Sequence, residues 1–275
     1  MVNKWLKGVL WLGLLGFLLN TFHLSAKAEN NQATMTLKNE ALVMVPGTGA
    51  TVDRFDKLIA QLQKKAAVEV LKITVQTDGQ LTIKGELSQK DIRPIIVIGF
   101  ADSSEETVPQ QAIWFQKAME YVQHCYGVEK YSFLGHSNGG LVLTEYLEYV
   151  HLTVDPQPTK ILFLGTPFND VGWKYNEMAT SLTKVKARSA ILQRYLSKKQ
   201  RLLKEINVIS IAGNVTKGNS DGVVPVTSLL AGRLIYGESQ SYEEFVVAEN
   251  AKHSQLVIHP TVVNFVQDFL WSEKK

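Results

Sequence analysis

Phe133-Leu134-Gly135-His136-Ser137-Asn138-Gly139-Gly140 carries an apolar, strand-like segment that ends at Gly135 into a helix-forming run beginning after Gly140. The glycines two residues either side of Ser137 permit a sharp strand-to-helix turn in which larger side chains would collide. On such a turn the Ser137 hydroxyl projects above the end of a sheet. The backbone N–H of Asn138 then faces the place where a negatively charged oxygen would form. The N-terminus of the helix that follows adds a favourable dipole at that point. Gly-x-Ser-x-Gly by itself recurs by chance; the strand before it and the helix after it mark this copy as a nucleophile site.

Outward from that turn, the chain alternates between strand-like and helix-like patterns. Short, nearly unbroken apolar runs occupy residues 41–45, 95–100, 131–134, 161–164, 208–212 and 245–248. Runs of this kind fit strands buried on both faces, and hence a largely parallel sheet. Trp114, Ala118, Tyr121, Val122 and Cys125 recur at helical spacing, as do Val262, Val263, Val266, Phe269 and Leu270. This alternation predicts an α/β class chain with a doubly wound sheet. Residues 68–87 alternate apolar and polar on both sides of Asp78-Gly79, which predicts an inserted β-hairpin at the sheet edge. Residues 169–205 carry an amphipathic pattern through Ile191, Leu192, Tyr195, Leu196, Leu202 and Leu203, and predict a helical lid over the site. From Lys184 to Lys204 this stretch holds eight Lys or Arg and no acidic residue, a solvated face that could also contact the cell envelope.

A serine nucleophile needs a base and an acid to orient that base, in the order serine, acid, histidine for a strand-to-helix turn of this type. His151, His253 and His259 follow Ser137. His151 closes the helix after the nucleophile, and His259 precedes Pro260 at the start of the last helix. His253 lies between the last strand and that helix, and is the predicted base. Asp221, in Ser220-Asp221-Gly222-Val223-Val224-Pro225, follows the fifth apolar run and is the predicted acid; Asp170, after the fourth run, competes with it. Val45-Pro46-Gly47-Thr48-Gly49 supplies the second donor for an oxyanion, with the Thr48 N–H preferred and Gly49 as the alternative. His136 is read as structural.

Composition narrows the remaining classes. Within residues 1–28, Lys4 and Lys7, the apolar run Val9–Phe22 and Ala26-Lys27-Ala28 have the form of an export signal, with an uncleaved N-terminal anchor as the alternative, and residues 29–275 are expected to form one domain. The three lysines of that segment account for the whole formal charge of +3. A neutral mature chain gives no reason to expect nucleic acid. Cys125 is the single cysteine, which excludes an internal disulfide and suits a small buried side chain on a helix. Histidine and cysteine spacing suggests no metal site, no phosphate-binding loop is present, and no cofactor is expected.

Gly135-His136-Ser137-Asn138-Gly139-Gly140, Leu164-Gly165-Thr166-Pro167-Phe168 and Ser220-Asp221-Gly222-Val223-Val224-Pro225 together resemble the secreted, cell-surface α/β hydrolases of Gram-positive bacteria in the domain family DUF915. The resemblance covers nearly all of residues 38–272. It implies an α/β-hydrolase fold and a serine triad on Ser137, Asp221 and His253. Pro46 departs from the wider superfamily, in which a histidine often precedes the glycine of the oxyanion loop. The activity expected is hydrolysis of a small or lipid-like carboxylic ester, esterase- or lipase-like, by a secreted or surface-associated enzyme. An acyltransferase and a cell-surface binding protein on the same fold are the alternatives.

Overall fold

The computed structural model describes residues 35–215 and 218–271; the predicted export signal lies outside the described residues. The apolar runs and the hairpin become eight strands: β1 (Ala41–Val45), β2 (Val68–Val75), β3 (Leu81–Lys84), β4 (Arg93–Phe100), β5 (Lys130–His136), β6 (Gln157–Leu164), β7 (Asn207–Gly213) and β8 (Ser241–Val247). They form one sheet in the order β3-β2-β4-β1-β5-β6-β7-β8. Every neighbouring pair is parallel except β2 with β3. The hairpin therefore caps one edge, as its pattern predicts, and Gly79 turns it with φ +80°.

Helices cover both faces: α1 (Asp56–Gln63), α2 (Val108–Tyr126), α3 (Asn138–Glu145), α4 (Ala190–Leu196), α5 (Val226–Leu230), α6 (Arg233–Tyr236) and α7 (Pro260–Phe265). Successive strand residues point to opposite faces, so the same strand feeds both layers. Val43 and Val45 pack with the helices α2 and α3, while Leu42 and Met44 pack with α1 and α7. Fully burying one such aliphatic side chain stabilises the fold by about 1.5–3 kcal/mol. Helix α2 starts with Pro109 in its first turn, where a missing N–H costs nothing, and stops at Gly127 with φ 62°. Cys125 packs only half-buried at the margin of this layer. The described chain enters beside the end of α2, where Met35 and Leu37 N–H groups donate to the Cys125 and Tyr126 carbonyls. That is the amino edge of β1.

The helical content of residues 169–205 is confined to α4 and one 3-10 turn, Lys199–Arg201. Leu192, Tyr195 and Leu202 join the core layer that holds α2 and α3, so this amphipathic pattern belongs to the crossover between β6 and β7. The preceding stretch, residues 169–188, is irregular because side chains take over its backbone hydrogen bonds. Buried Asn169 donates to the Tyr175 and Ala187 carbonyls and accepts from Ser189 N–H. Asn176 donates to the carbonyls of Asn169, Asp170 and Gly172. The basic run is not one free face either: Arg194 pairs with buried Glu145, and Lys199 with Glu238. No helix among the described residues is long and apolar enough to cross a membrane.

Glu148 lies in a π-helical turn, Tyr146–Val150, that continues α3, and is completely buried. Its carboxyl oxygens have no hydrogen-bond partner among the described residues. Burial, and then the neighbouring Glu145 charge, push its pKa from 4.5 up to about 8. An acid whose folded pKa is raised costs nothing below its unfolded value; the cost grows with rising pH and is complete above the folded value. Glu148→Gln should thus stabilise by on the order of 2 kcal/mol at pH 8, about 4–8 °C in Tm, and by almost nothing near pH 4. Thermal melts of both proteins across that pH range check it; equal shifts at both ends would show that Glu148 ionises freely in the fold.

Candidate active site

Strand β5 ends at His136 and α3 begins at Asn138, which leaves Ser137 alone on the turn with φ 55° and ψ −131°. A non-glycine residue holds so sparsely populated a conformation only where its surroundings enforce it. Here the Ser137 N–H donates to Leu164 O at 2.8 Å, and Gly140 N–H donates back to Ser137 O at 3.0 Å. The glycines of the motif are explained by backbone approach. A Cβ on Gly139 would stand 2.1 Å from Val45 O. The loop after β1 closes over the turn from the other side, and a Cβ on Gly47 would stand 2.5 Å from Ser137 Cβ. Gly47→Ala must therefore displace Ser137 or the loop. Misplacement near 1 Å can cost about 100-fold in rate, so kcat should fall by about that factor with KM little changed; an unaltered kcat would show that the loop yields freely.

Asp221 follows β7 and His253 follows β8, so both stand at the carboxyl edge of the sheet with Ser137. His253 Nδ1–H donates to Asp221 Oδ2 at 2.6 Å, with side-chain exposures of 15 % and 1 %. The other carboxylate oxygen accepts from the Val223 and Val224 N–H groups at 2.9 and 2.7 Å. A carboxylate held by two backbone donors on one side can offer only its far oxygen to the imidazole, which fixes the imidazole's tautomer. His253 N–H also donates to Asp221 O at 2.9 Å. Gly165 lies close against this pair; a Cβ there would stand 3.0 Å from Asp221 Oδ2 and 3.1 Å from His253 Nδ1. The Ser137 hydroxyl makes no hydrogen bond to His253 among the described residues. His136, next to Ser137 in the chain, has its ring centroid 4.6 Å from that of His253. Catalytic hydrogen bonds are often long without substrate and tighten in the complex.

The side chains of the two residues expected to supply the oxyanion donors meet directly. Asn138 Nδ2–H donates to Thr48 Oγ1 at 2.6 Å, tying the loop after β1 to the first turn of α3. Asn138 N–H is one of the first helical donors, which have no acceptor within the helix. Gly49 N–H is committed to Ser103 O at 3.3 Å, so Thr48 is the better placed of the two loop candidates.

The competing residues are occupied elsewhere. His259 Nδ1 accepts from Thr261 N–H, capping α7, while its Nε2–H donates to Glu249 O. The His151 ring packs against Tyr146 at 5.3 Å. Asp170 Oδ1 accepts from Gly172 N–H in a local turn. Among the described residues no three His, Cys, Asp or Glu side chains converge as a metal site would require.

Sequence reading passed over Arg54. Its guanidinium donates to Ser254 O at 2.7 Å, one residue after His253. Nothing in the pattern around Val52–Phe55 signals a partner so distant in the chain.

The model of the DUF915 family, described as alpha/beta hydrolases of unknown function, matches residues 29–273. A Listeria innocua protein of known crystal structure is 30% identical, with a TM-score of 0.80 over 86% of this chain and 96% of that one. A Lactobacillus plantarum protein whose crystal structure is described as that of a "putative cell surface hydrolase" is 28% identical, with a TM-score of 0.72 over 87% of this chain and 94% of that one. No curated protein matches the sequence. With an eight-stranded sheet, Ser137 on its strand-to-helix turn and a full-length family match, the chain belongs to the DUF915 family of α/β hydrolases.

Proposed function

We propose that this protein is an exported serine hydrolase that cleaves carboxylic esters through an acyl-enzyme. His253 Nε2 takes the Ser137 proton as Oγ attacks the ester carbonyl carbon. The Thr48 and Asn138 N–H groups hold the oxyanion that forms. Collapse of this intermediate breaks the bond to the alcohol, which leaves with the proton from His253. Water, deprotonated in turn by His253, attacks the acyl-serine; the carboxylic acid departs and Ser137 recovers its proton. The observation that carries this reading is the Asp221 carboxylate, anchored by two backbone N–H groups and bonded to His253 Nδ1–H at 2.6 Å.

An apolar acyl group is supported by the surroundings of the carboxyl edge. Val171, Trp173 and Met178, in the irregular segment after β6, and Val223, two residues from Asp221, are exposed large apolar side chains. Glu177 and Thr227 tie that segment to α5 through two hydrogen bonds, which keeps it beside the Asp221 loop. Lys184, Lys186 and Arg188 lie exposed in the same segment and offer a basic patch to the cell envelope.

A panel of nitrophenyl esters from acetyl to palmitoyl, assayed beside Ser137→Ala, tests the proposal. Turnover that disappears with Ser137 and rises with acyl length supports a lipid-like ester, and a maximum at acetyl supports a short-chain one. Equal turnover in the two proteins would refute the serine mechanism. Transfer of the acyl group to an added alcohol in preference to water would reassign the protein as an acyltransferase.

A further inference from the structure

The loop bearing His253 is gripped by side chains from two other parts of the molecule. Main-chain bonds run from His253 N–H to Asp221 O and from the Gln255 and Leu256 N–H groups to Lys252 O, while the carbonyls of His253 and Ser254 are met by side chains. His136 Nε2 lies 2.9 Å from His253 O. A carbonyl only accepts, so His136 is the Nε2–H tautomer and donates. Arg54 supplies the next bond, to Ser254 O at 2.7 Å. The two donors come from segments that follow or end neighbouring strands. His136 precedes the nucleophile at the end of β5, and Arg54 lies in the 3-10 turn Val52–Phe55 that follows the Thr48 loop.

A purely structural histidine is a poor account of position 136. Its side chain is buried, its Nδ1 has no partner among the described residues, and its one polar contact is the carbonyl of the base. An apolar side chain would end β5 at lower cost, because a buried polar atom left unpaired costs free energy. Burial, together with the charges of His253 and Arg54, holds His136 well below the usual histidine range. It therefore stays neutral when His253, 4.6 Å away between ring centroids, takes up a proton.

We propose that His136 and Arg54 are positioning residues that clamp the His253 backbone, so that the imidazole keeps both its bond to Asp221 and its approach to Ser137. The proposal rests on the serine mechanism above. The nucleophile's own strand thus sets the place of the base: Ser137 and His136 are neighbours, and moving one moves the grip on the other.

The test compares His136→Gln, whose amide nitrogen reaches about as far as the imidazole Nε2 and still donates, with His136→Leu, which cannot donate. His136→Leu is expected to lower kcat by about 10- to 100-fold with KM little changed. His136→Gln should restore most of that rate, and Arg54→Met should fall between them. The downfield NMR resonance of the proton between His253 and Asp221 should broaden in His136→Leu and remain sharp in His136→Gln. Equal losses in the Gln and Leu variants would overturn the proposal, since side-chain shape alone would then matter. Wild-type kcat in His136→Leu would overturn it as well. If the protein shows no Ser137-dependent turnover, the serine reading fails separately, and the resonance still decides: an unaltered signal in His136→Leu shows that no clamp exists. If His136→Leu does not fold, Arg54→Met, read by the same signal, decides in its place.

Discussion

Ser137→Ala is expected to lower ester turnover by about 10⁵- to 10⁶-fold, because the residues of such a triad act as one unit. The substitution removes a single oxygen from a half-buried position, and nothing else in the fold depends on it. Ser137 is held by its backbone, through the Leu164 and Gly140 bonds, so the alanine variant should melt within about 1 °C of the parent as a surface change of no structural consequence does. Residual activity should come from the Thr48 and Asn138 donors and from substrate binding alone. Measuring kcat and Tm on the same preparations separates lost chemistry from lost structure. A variant that keeps more than about a tenth of the parent rate would exclude Ser137 as nucleophile, because no other group at the site could replace it so completely.

Asp221→Asn should cost about 10⁴-fold in kcat while preserving the fold. The reason lies in how the carboxylate is held. Its Oδ1 accepts from Val223 and Val224 N–H groups, so an asparagine in its place must leave its carbonyl oxygen there. The amide nitrogen then faces His253 Nδ1 and donates to it. That reverses the tautomer: Nε2 carries the hydrogen and cannot accept the Ser137 proton. Asp221→Ala removes the partner without imposing the wrong tautomer, and should therefore lose no more than the asparagine variant despite being the larger truncation. A loss below about tenfold in Asp221→Asn would move the acid elsewhere.

Much of the architecture is legible from local pattern because each core strand is buried on both faces. Residues 41–45 and 208–212 read as strands for the same reason that they are strands: apolar side chains run through them, interrupted only by the small, buried Ser210. Ser137 was visible through the glycines that backbone approach requires. Asp221 and His253 were visible through their order and through their places after β7 and β8. What resisted reading depends on single long-range hydrogen bonds. Asn169 and Asn176 hold residues 169–188, the first part of the expected helical lid, in an irregular path, and an asparagine has no pattern that discloses such a role. Arg54 reaches Ser254 across two hundred residues. Arg194 looked like part of a solvated face and instead neutralises the buried Glu145.

Met35 and Leu37 lie at the amino edge of the sheet, while Ser137, Asp221 and His253 lie at the carboxyl edge. Strand β1 alone, five residues long at about 3.3 Å per residue, separates the two edges by roughly 17 Å. A bead, a filament or a second protein fused ahead of residue 35 would therefore hold the molecule from behind and leave its mouth open to the bulk. Immobilisation by that end should not slow the approach of even a bulky substrate.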